Sequence, residues 1–437
     1  MLHRRSRAAR SGDVAEARPW CGVVHGRRAT CRLASPSTDF IWTSYDTTSF
    51  GVQPLTTTSI QNHSKMVNTM NQPSQHHCPT DQISTPTDVS AHGGPPPVHP
   101  SMFPRRSIAS LSLGRAWVHG IETKLDQAAA NNYNGIELFY EDLQYFAKTL
   151  PGGASPANQV VAARQIREMC GLRNLTVICL QPFMHYEGLL DRSRHAERIR
   201  ELSLWFQICH ALGTDLMVIP SNFLTEGVTG DWDVLVADMQ EVADLGAQQS
   251  PVVRIAYEAL CFGVFVHTWF RSYELVVAVG RGNFGICLDT FNICGRDYAD
   301  PASTTGCIPD ADAVFQASLA RMRREIDVNK IFLVQVADAE KMREPLRQEH
   351  AFHVEGQVPR MSWSRNARLF PGEKSRGAYL PVLDVMRVLI GEDGLGYSAW
   401  VSFEVFSRTL EEPCSSVPAD HARRGKLSFE WMGKMLC

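Results

Sequence analysis

From residue 107 onward, short apolar runs alternate eight times with longer amphipathic stretches. The runs are 107–114, 135–140, 175–181, 215–221, 254–260, 284–290, 330–338 and 399–406. Each has the length of a strand and is largely apolar on both faces, as a buried parallel strand is. Between and after them, 121–132, 158–171, 195–212, 232–246, 271–280, 311–327, 378–390 and 425–435 read as helices. In the third, Leu202, Trp205, Phe206, Cys209 and Leu212 recur at helical spacing and form a core stripe. Eight strand–helix units over roughly 300 residues predict an α/β fold, the (β/α)8 TIM barrel. A doubly wound open sheet would place a glycine-rich phosphate loop after the first strand. Residues 112–120, SLGRAWVHG, hold neither GxGxxG nor GKS/T.

Residues 1–105 have a different composition. They are rich in Ser, Thr, Pro, Gln and His and lack any sustained period, so they are expected to be a disordered extension. The predicted catalytic barrel is 106–437. Residues 1–106 hold 11 basic and 6 acidic residues and carry +5, and residues 107–437 hold 32 and 40 and carry −8. An acidic barrel excludes nucleic acid as a partner. No apolar run is long enough to span a bilayer, and no signal-peptide core follows the first arginines, so no membrane partner is expected. Arg4, Arg5, Arg7, Arg10, Arg18, Arg27, Arg28 and Arg32 would suit a mitochondrial transit peptide, but Asp13 and Glu16 interrupt them. The 12 cysteines form no CxxC pair and lie mostly in apolar contexts, the pattern of reduced thiols. The expected location is the cytoplasm, the expected partner a small-molecule substrate, and the oligomeric state is left open.

In a barrel, chemistry gathers at the C-terminal ends of the strands. Glu258, Asp289, Gln335 and Glu404 stand there on strands five to eight, each a polar group inside an apolar run. A lone case would be a satisfied core residue. Four on consecutive strands point to one place, and three carboxylates there repel unless a cation joins them. Three carboxylates and an amide oxygen are hard ligands, suited to a divalent metal such as Mg²⁺, Mn²⁺ or Co²⁺.

These residues lie within longer motifs. SLGRAW (112–117), GIELFYEDL (135–143), LQPFMHYEGLLDR (180–192), IPSNFL (219–224), YEAL (257–260), GICLDTFNICGRDYADP (285–301), VQVADAE (334–340), WSRNARLFPGE (363–373) and SFEVF (402–406) occur in order. In them the chain resembles the fungal-type 3-dehydroshikimate dehydratases, within the metal-dependent sugar isomerase/epimerase-like barrels. The resemblance covers about three quarters of the chain, from 107 onward. It implies a carbon–oxygen lyase of quinate and shikimate catabolism that converts 3-dehydroshikimate to protocatechuate and water. It also implies Glu258, Asp289, Gln335 and Glu404 as metal ligands. At Met184 and Asn292 the chain departs from the bacterial members, which carry an arginine and a histidine there.

A substrate carboxylate calls for an arginine fork. Arg115 after strand one, and Arg365 and Arg368 in the long segment 339–378, are the candidates, with Asn292 a further substrate contact. His185, next to the departure at Met184, is the preferred acid/base residue, and Glu258 and Glu404 are the alternatives. His119, Glu141 and Tyr186 also follow strand ends. Two other functions stay open: a sugar or keto-sugar isomerase/epimerase on the same metal-binding barrel, and an inactive barrel that binds a metabolite. A nuclease of the same superfamily would want several histidine ligands and a basic face, and the sequence offers neither.

Overall fold

The computed structural model describes residues 104–436, so the expected extension lies almost wholly outside the described residues. Eight parallel strands close into a barrel: β1 (Arg105–Ala109), β2 (Gly135–Phe139), β3 (Thr176–Gln181), β4 (Leu216–Pro220), β5 (Arg254–Glu258), β6 (Phe284–Asp289), β7 (Ile331–Val336) and β10 (Trp400–Phe403). The first strand pairs with the last, Arg105 level with Trp400 and Ile108 with Phe403. The second, fourth and sixth strands are buried at every residue, because helices cover one face and barrel-filling side chains the other. Ile178, Cys179, Leu216, Val218, Ala256, Cys287 and Leu333 form a small cluster of strand residues apart from the main core.

The covering helices are α1 (Ile121–Ala130), α3 (Pro156–Gly171), α4 (Arg192–Leu212), α5 (Trp232–Ala247), α6 (Trp269–Val279), α8 (Ala311–Glu325), α10 (Val382–Ile390) and α11 (Val417–Leu436). Local chemistry sets their ends. Ser155, Asp191, Asp231 and Thr268 cap orphan backbone N–H groups, and Gly213 and Gly280 close α4 and α6 in the left-handed region.

Each of the eight expected strands and eight expected helices overlaps an observed element. Three further helices follow strands or lie in the long insertion: α2 (Tyr140–Lys148), α7 (Thr290–Asp297) and α9 (Pro359–Asn366). The first run, expected over 107–114, leaves the sheet after Ala109 and continues as a 3-10 turn, Ser110–Leu113. The insertion after β7 is anchored by a two-stranded antiparallel pair, β8 (Asp338–Ala339) and β9 (Arg368–Leu369).

Candidate active site

Glu258 closes β5, Asp289 closes β6, Gln335 lies in β7 and Glu404 follows β10. Register sets them side by side, with Asp289 level with Gln335. One carboxylate oxygen each of Glu258, Asp289 and Glu404 lies within 4.8 Å of the others, and all three residues are buried. Gln335 is fully buried. Its amide oxygen accepts from Cys287 Sγ at 3.1 Å and its amide nitrogen donates to Glu137 Oε1 at 2.5 Å.

Two further residues hold the carboxylates. Asp289 caps α7, its Oδ1 accepting from Phe291 N at 2.8 Å. One turn on, Asn292 Nδ2 donates to Asp289 Oδ2 at 2.7 Å and to Glu258 Oε1 at 2.8 Å, while Asn292 Oδ1 accepts from Cys261 N at 2.9 Å. Arg368 Nη1 donates to Asp289 Oδ2 at 2.8 Å and to Glu404 Oε2 at 2.9 Å. Its Nε and Nη2 both reach Ser364 Oγ, and its guanidinium lies over the rings of Phe291 and Phe406. Every nitrogen of this fork is engaged, and so is the amide of Asn292. Both residues, expected from the sequence as substrate contacts, serve the carboxylate cluster here.

The cluster carries more negative charge than Arg368 balances. Burial pushes the Glu258 carboxyl well above its usual range, and the neighbouring Glu404 and Asp289 carboxylates add to the effect. Asp289 is pushed up to about 6 by burial, against the lowering influence of Arg368. A divalent cation would offset this repulsion. The donors are oxygens, fully desolvated and convergent, so the acidic groups could hold a metal ion.

Glu137 on β2 and Gln181 on β3 join the cluster, and the sequence reading did not single them out. Glu137 Oε1 accepts from Gln181 Nε2 at 2.8 Å and from Gln335 Nε2, while its Oε2 is buried without a partner. Gln181 Nε2 also donates to Glu404 Oε1 at 2.7 Å. Burial first, then the Glu404 carboxylate, push Glu137 up to about 8. A polar residue inside the run GIELFY was the signal that could have found it.

Arg115 follows β1 and is only 3% exposed. Its Nε and Nη1 are buried without a hydrogen-bond partner, and the nearest acid, Glu411 Oε1, is 3.7 Å from Nε. Its guanidinium lies 5.9 Å from the Phe406 ring, over which Arg368 also lies, so the two arginines flank one aromatic side chain. Glu141 is pushed up to about 7 by burial, with Arg115 opposing. His119 Nε2 lies 3.1 Å from the Glu412 carbonyl oxygen. The buried Tyr186 hydroxyl has no partner, and its ring packs on His195.

His185 has a left-handed backbone, φ 54°, a region uncommon outside glycine but one that histidine enters more readily than most residues. Its Nδ1 lies 3.1 Å from Asn222 Oδ1, and its ring packs edge-on against Phe223. Burial lowers its pKa to about 4, and the positive charges of Arg198, Arg194 and Arg365 act in the same direction. Arg365 Nη1 donates to Gln357 Oε1. The structure therefore gathers Glu258, Asp289, Gln335, Glu404, Asn292 and Arg368 into one network, with Arg115 beside it across Phe406. The charge of Arg365, on α9, bears on His185, which follows β3.

A family model described as xylose isomerase-like TIM barrel matches residues 125–432. The chain belongs to this xylose isomerase-like TIM barrel family. A 3-dehydroshikimate dehydratase of Neurospora crassa is 47% identical over 331 residues, 74% of this chain and 92% of that protein. A 3-dehydroshikimate dehydratase of Pseudomonas aeruginosa is 29% identical over 69% of this chain, which spans only 38% of that protein's length. Among solved structures, a xylose isomerase-like TIM barrel/4-hydroxyphenylpyruvate dioxygenase fusion protein matches with a TM-score of 0.58 and 26% identity. The match covers 76% of this chain and 43% of that one. The IolI protein, solved with a bound zinc atom, shares the fold at a TM-score of 0.56 and 17% identity, over 76% of this chain and 99% of that one.

Proposed function

We propose that this protein is a 3-dehydroshikimate dehydratase, a lyase that removes water from 3-dehydroshikimate to give protocatechuate. The observation that carries this reading is the 47% identity to a relative of that name over nearly its whole length. The buried carboxylate cluster of Glu258, Asp289 and Glu404 supplies the chemistry such a reaction needs. Glu258, Asp289, Gln335 and Glu404 would hold a divalent ion, with Mg²⁺, Mn²⁺ and Co²⁺ the best match to hard oxygen donors. When bound, the ion would supply positive charge beside the substrate ketone and acidify the adjacent C–H.

The residues of the chain divide the remaining work. Asn292 and Arg368 hold the carboxylates in place. Arg115, with two buried donors that make no hydrogen bond, is positioned to accept the substrate carboxylate. Arg365, whose charge bears on His185, is the second candidate. His185 is the preferred proton acceptor for the hydrogen between ketone and leaving hydroxyl, with Glu404 or Glu258 as alternatives. That C–H electron pair becomes the enolate, the enolate expels the hydroxyl one carbon on, and the returned proton leaves with it as water. A final proton shift makes the ring aromatic.

Purified protein should convert 3-dehydroshikimate to protocatechuate, read by its ultraviolet absorbance, only with a divalent metal and not with excess chelator. Epimerisation of a keto-sugar without release of protocatechuate would replace this reading with the isomerase/epimerase alternative.

A further inference from the structure

The neutral imidazole of a histidine has one ring N–H and one lone pair, and the partner of one nitrogen decides which is which. His185 Nδ1 faces Asn222 Oδ1 at 3.1 Å. The Asn222 amide could in principle face either way, but its backbone neighbours leave one choice. Asn222 Oδ1 also lies 3.0 Å from Leu224 N, which can only donate. Asn222 Nδ2 lies 2.9 Å from the carbonyl oxygen of Glu187, which can only accept. The oxygen of the amide therefore faces His185, and Nδ1 must carry the hydrogen.

The amide is itself firmly held. Asn222 is buried and follows β4 by two residues. Its backbone N–H donates to Glu187 Oε1 at 2.5 Å, and that oxygen also accepts from Tyr257 OH at 2.9 Å. Tyr257 precedes Glu258 in β5, so the frame that orients His185 is continuous with the strand that carries Glu258.

We infer that Asn222 is a positioning residue that fixes His185 as its Nδ1–H tautomer, so that Nε2 presents a lone pair and His185 begins the reaction as a base. This rests on His185 being the group that moves the proton. The charged groups that bear on the ring are Arg194 and Arg198 of α4 and Arg365 of α9, all positive, and they favour the uncharged ring. In the balanced step, Nε2 takes the proton from the carbon beside the ketone. The imidazolium so formed returns it to the departing hydroxyl, and the histidine ends in its starting tautomer.

The tautomer is read directly in full-length protein labelled with ¹⁵N-histidine. Long-range ¹H–¹⁵N correlation near neutral pH is recorded, with His185→Gln assigning the signal. The expected pattern is a protonated Nδ1 and a bare Nε2. Asn222→Ala should shift the population toward Nε2–H, the commoner form in water. Asn222→Asp should favour the imidazolium and move the acid limb of kcat/KM upward by about 1–3 pH units. A wild-type signal from the Nε2–H tautomer overturns the inference, and so does an unchanged tautomer in Asn222→Ala that folds normally. Full turnover by His185→Gln would instead overturn the reading of His185 as the proton-transfer group, leaving the tautomer to be judged by the spectrum alone.

Discussion

Arg115 and Arg368 show how two arginines at one barrel mouth divide their roles by what surrounds them. Arg368 is saturated by Asp289, Glu404 and Ser364, whereas Arg115 keeps two buried donors without a hydrogen bond. A charge-assisted bond to a carboxylate is worth roughly 1.5–3 kcal/mol. Arg115→Ala is therefore expected to lower kcat/KM about 10- to 150-fold with metal affinity near wild type. Lysine should restore only part, since it lacks the planar fork. Wild-type kinetics in Arg115→Ala would shift the clamp to Arg365. His185 supplies a second prediction at this scale. Its pKa falls from 6.5 in the unfolded chain to about 4 in the fold, so between these values the unfolded chain binds more protons. Its contribution to stability is whole above pH 6.5 and is lost as pH falls toward 4. His185→Gln should remove that loss, which amounts to something on the order of 3 kcal/mol. Urea midpoints of wild type and variant compared at pH 5 and pH 7.5, about one and a half units below and one unit above the ordinary histidine pKa, will show whether the gap narrows in acid. The types of Glu258, Asp289, Gln335 and Glu404 were legible in the sequence because each interrupts an apolar run. The contacts of Asn292 and Arg368 with these carboxylates were not, because which acceptor a polar donor meets depends on a rotamer.

At the scale of elements, the eight strands were legible because parallel strands covered on both faces read as plain apolar runs. The helices α2 and α7 were not, because each begins at the residue after its strand, leaving no turn residues to mark the change. Asp289 ends one element and caps the next, so the same side chain that closes β6 starts α7. The insertion that carries Arg368 is tied down from the far side by α11. Arg424 Nε and Nη2 grip Glu373 Oε1 and Oε2 at 2.6 and 2.9 Å, and both residues are buried. Glu373 Oε2 in turn accepts from Phe370 N at 3.0 Å, two residues beyond Arg368. Removing one member of a buried pair strands the other charge, at about 3–5 kcal/mol. Glu373→Ala should therefore destabilise the protein by about that amount. It should also lower kcat, because Arg368 loses the backbone frame that keeps it between Asp289 and Glu404. A variant with an unchanged urea midpoint and unchanged kcat would show that the insertion holds its place without this pair.

At the scale of the whole barrel, the carboxylate cluster is a cost that only the folded chain bears. The unfolded chain separates Glu258, Asp289 and Glu404 by many residues and bathes them in water, whereas folding brings them within 4.8 Å of one another in a buried site. A cation that binds this arrangement binds the folded state alone, and so it stabilises the barrel by mass action. The gain is about 2.7 kcal/mol when the free ion stands at 100 times its Kd. Because the three carboxylates come from the ends of β5, β6 and β10, an ion held by them would tie these three strands together. Chelator-stripped protein is thus expected to melt several degrees lower than protein given Mn²⁺ or Co²⁺, at roughly 2–4 °C per kcal/mol for domains of somewhat smaller size. Glu258→Gln removes one carboxylate of the cluster and relieves part of the repulsion, so its stripped form should melt no lower than stripped wild type and should gain little from metal. His185→Gln, which leaves the cluster intact, should keep the full metal-dependent rise. A stripped wild type whose Tm does not respond to any of the three ions would show that Arg368 alone balances these carboxylates and that the cluster is not a metal centre.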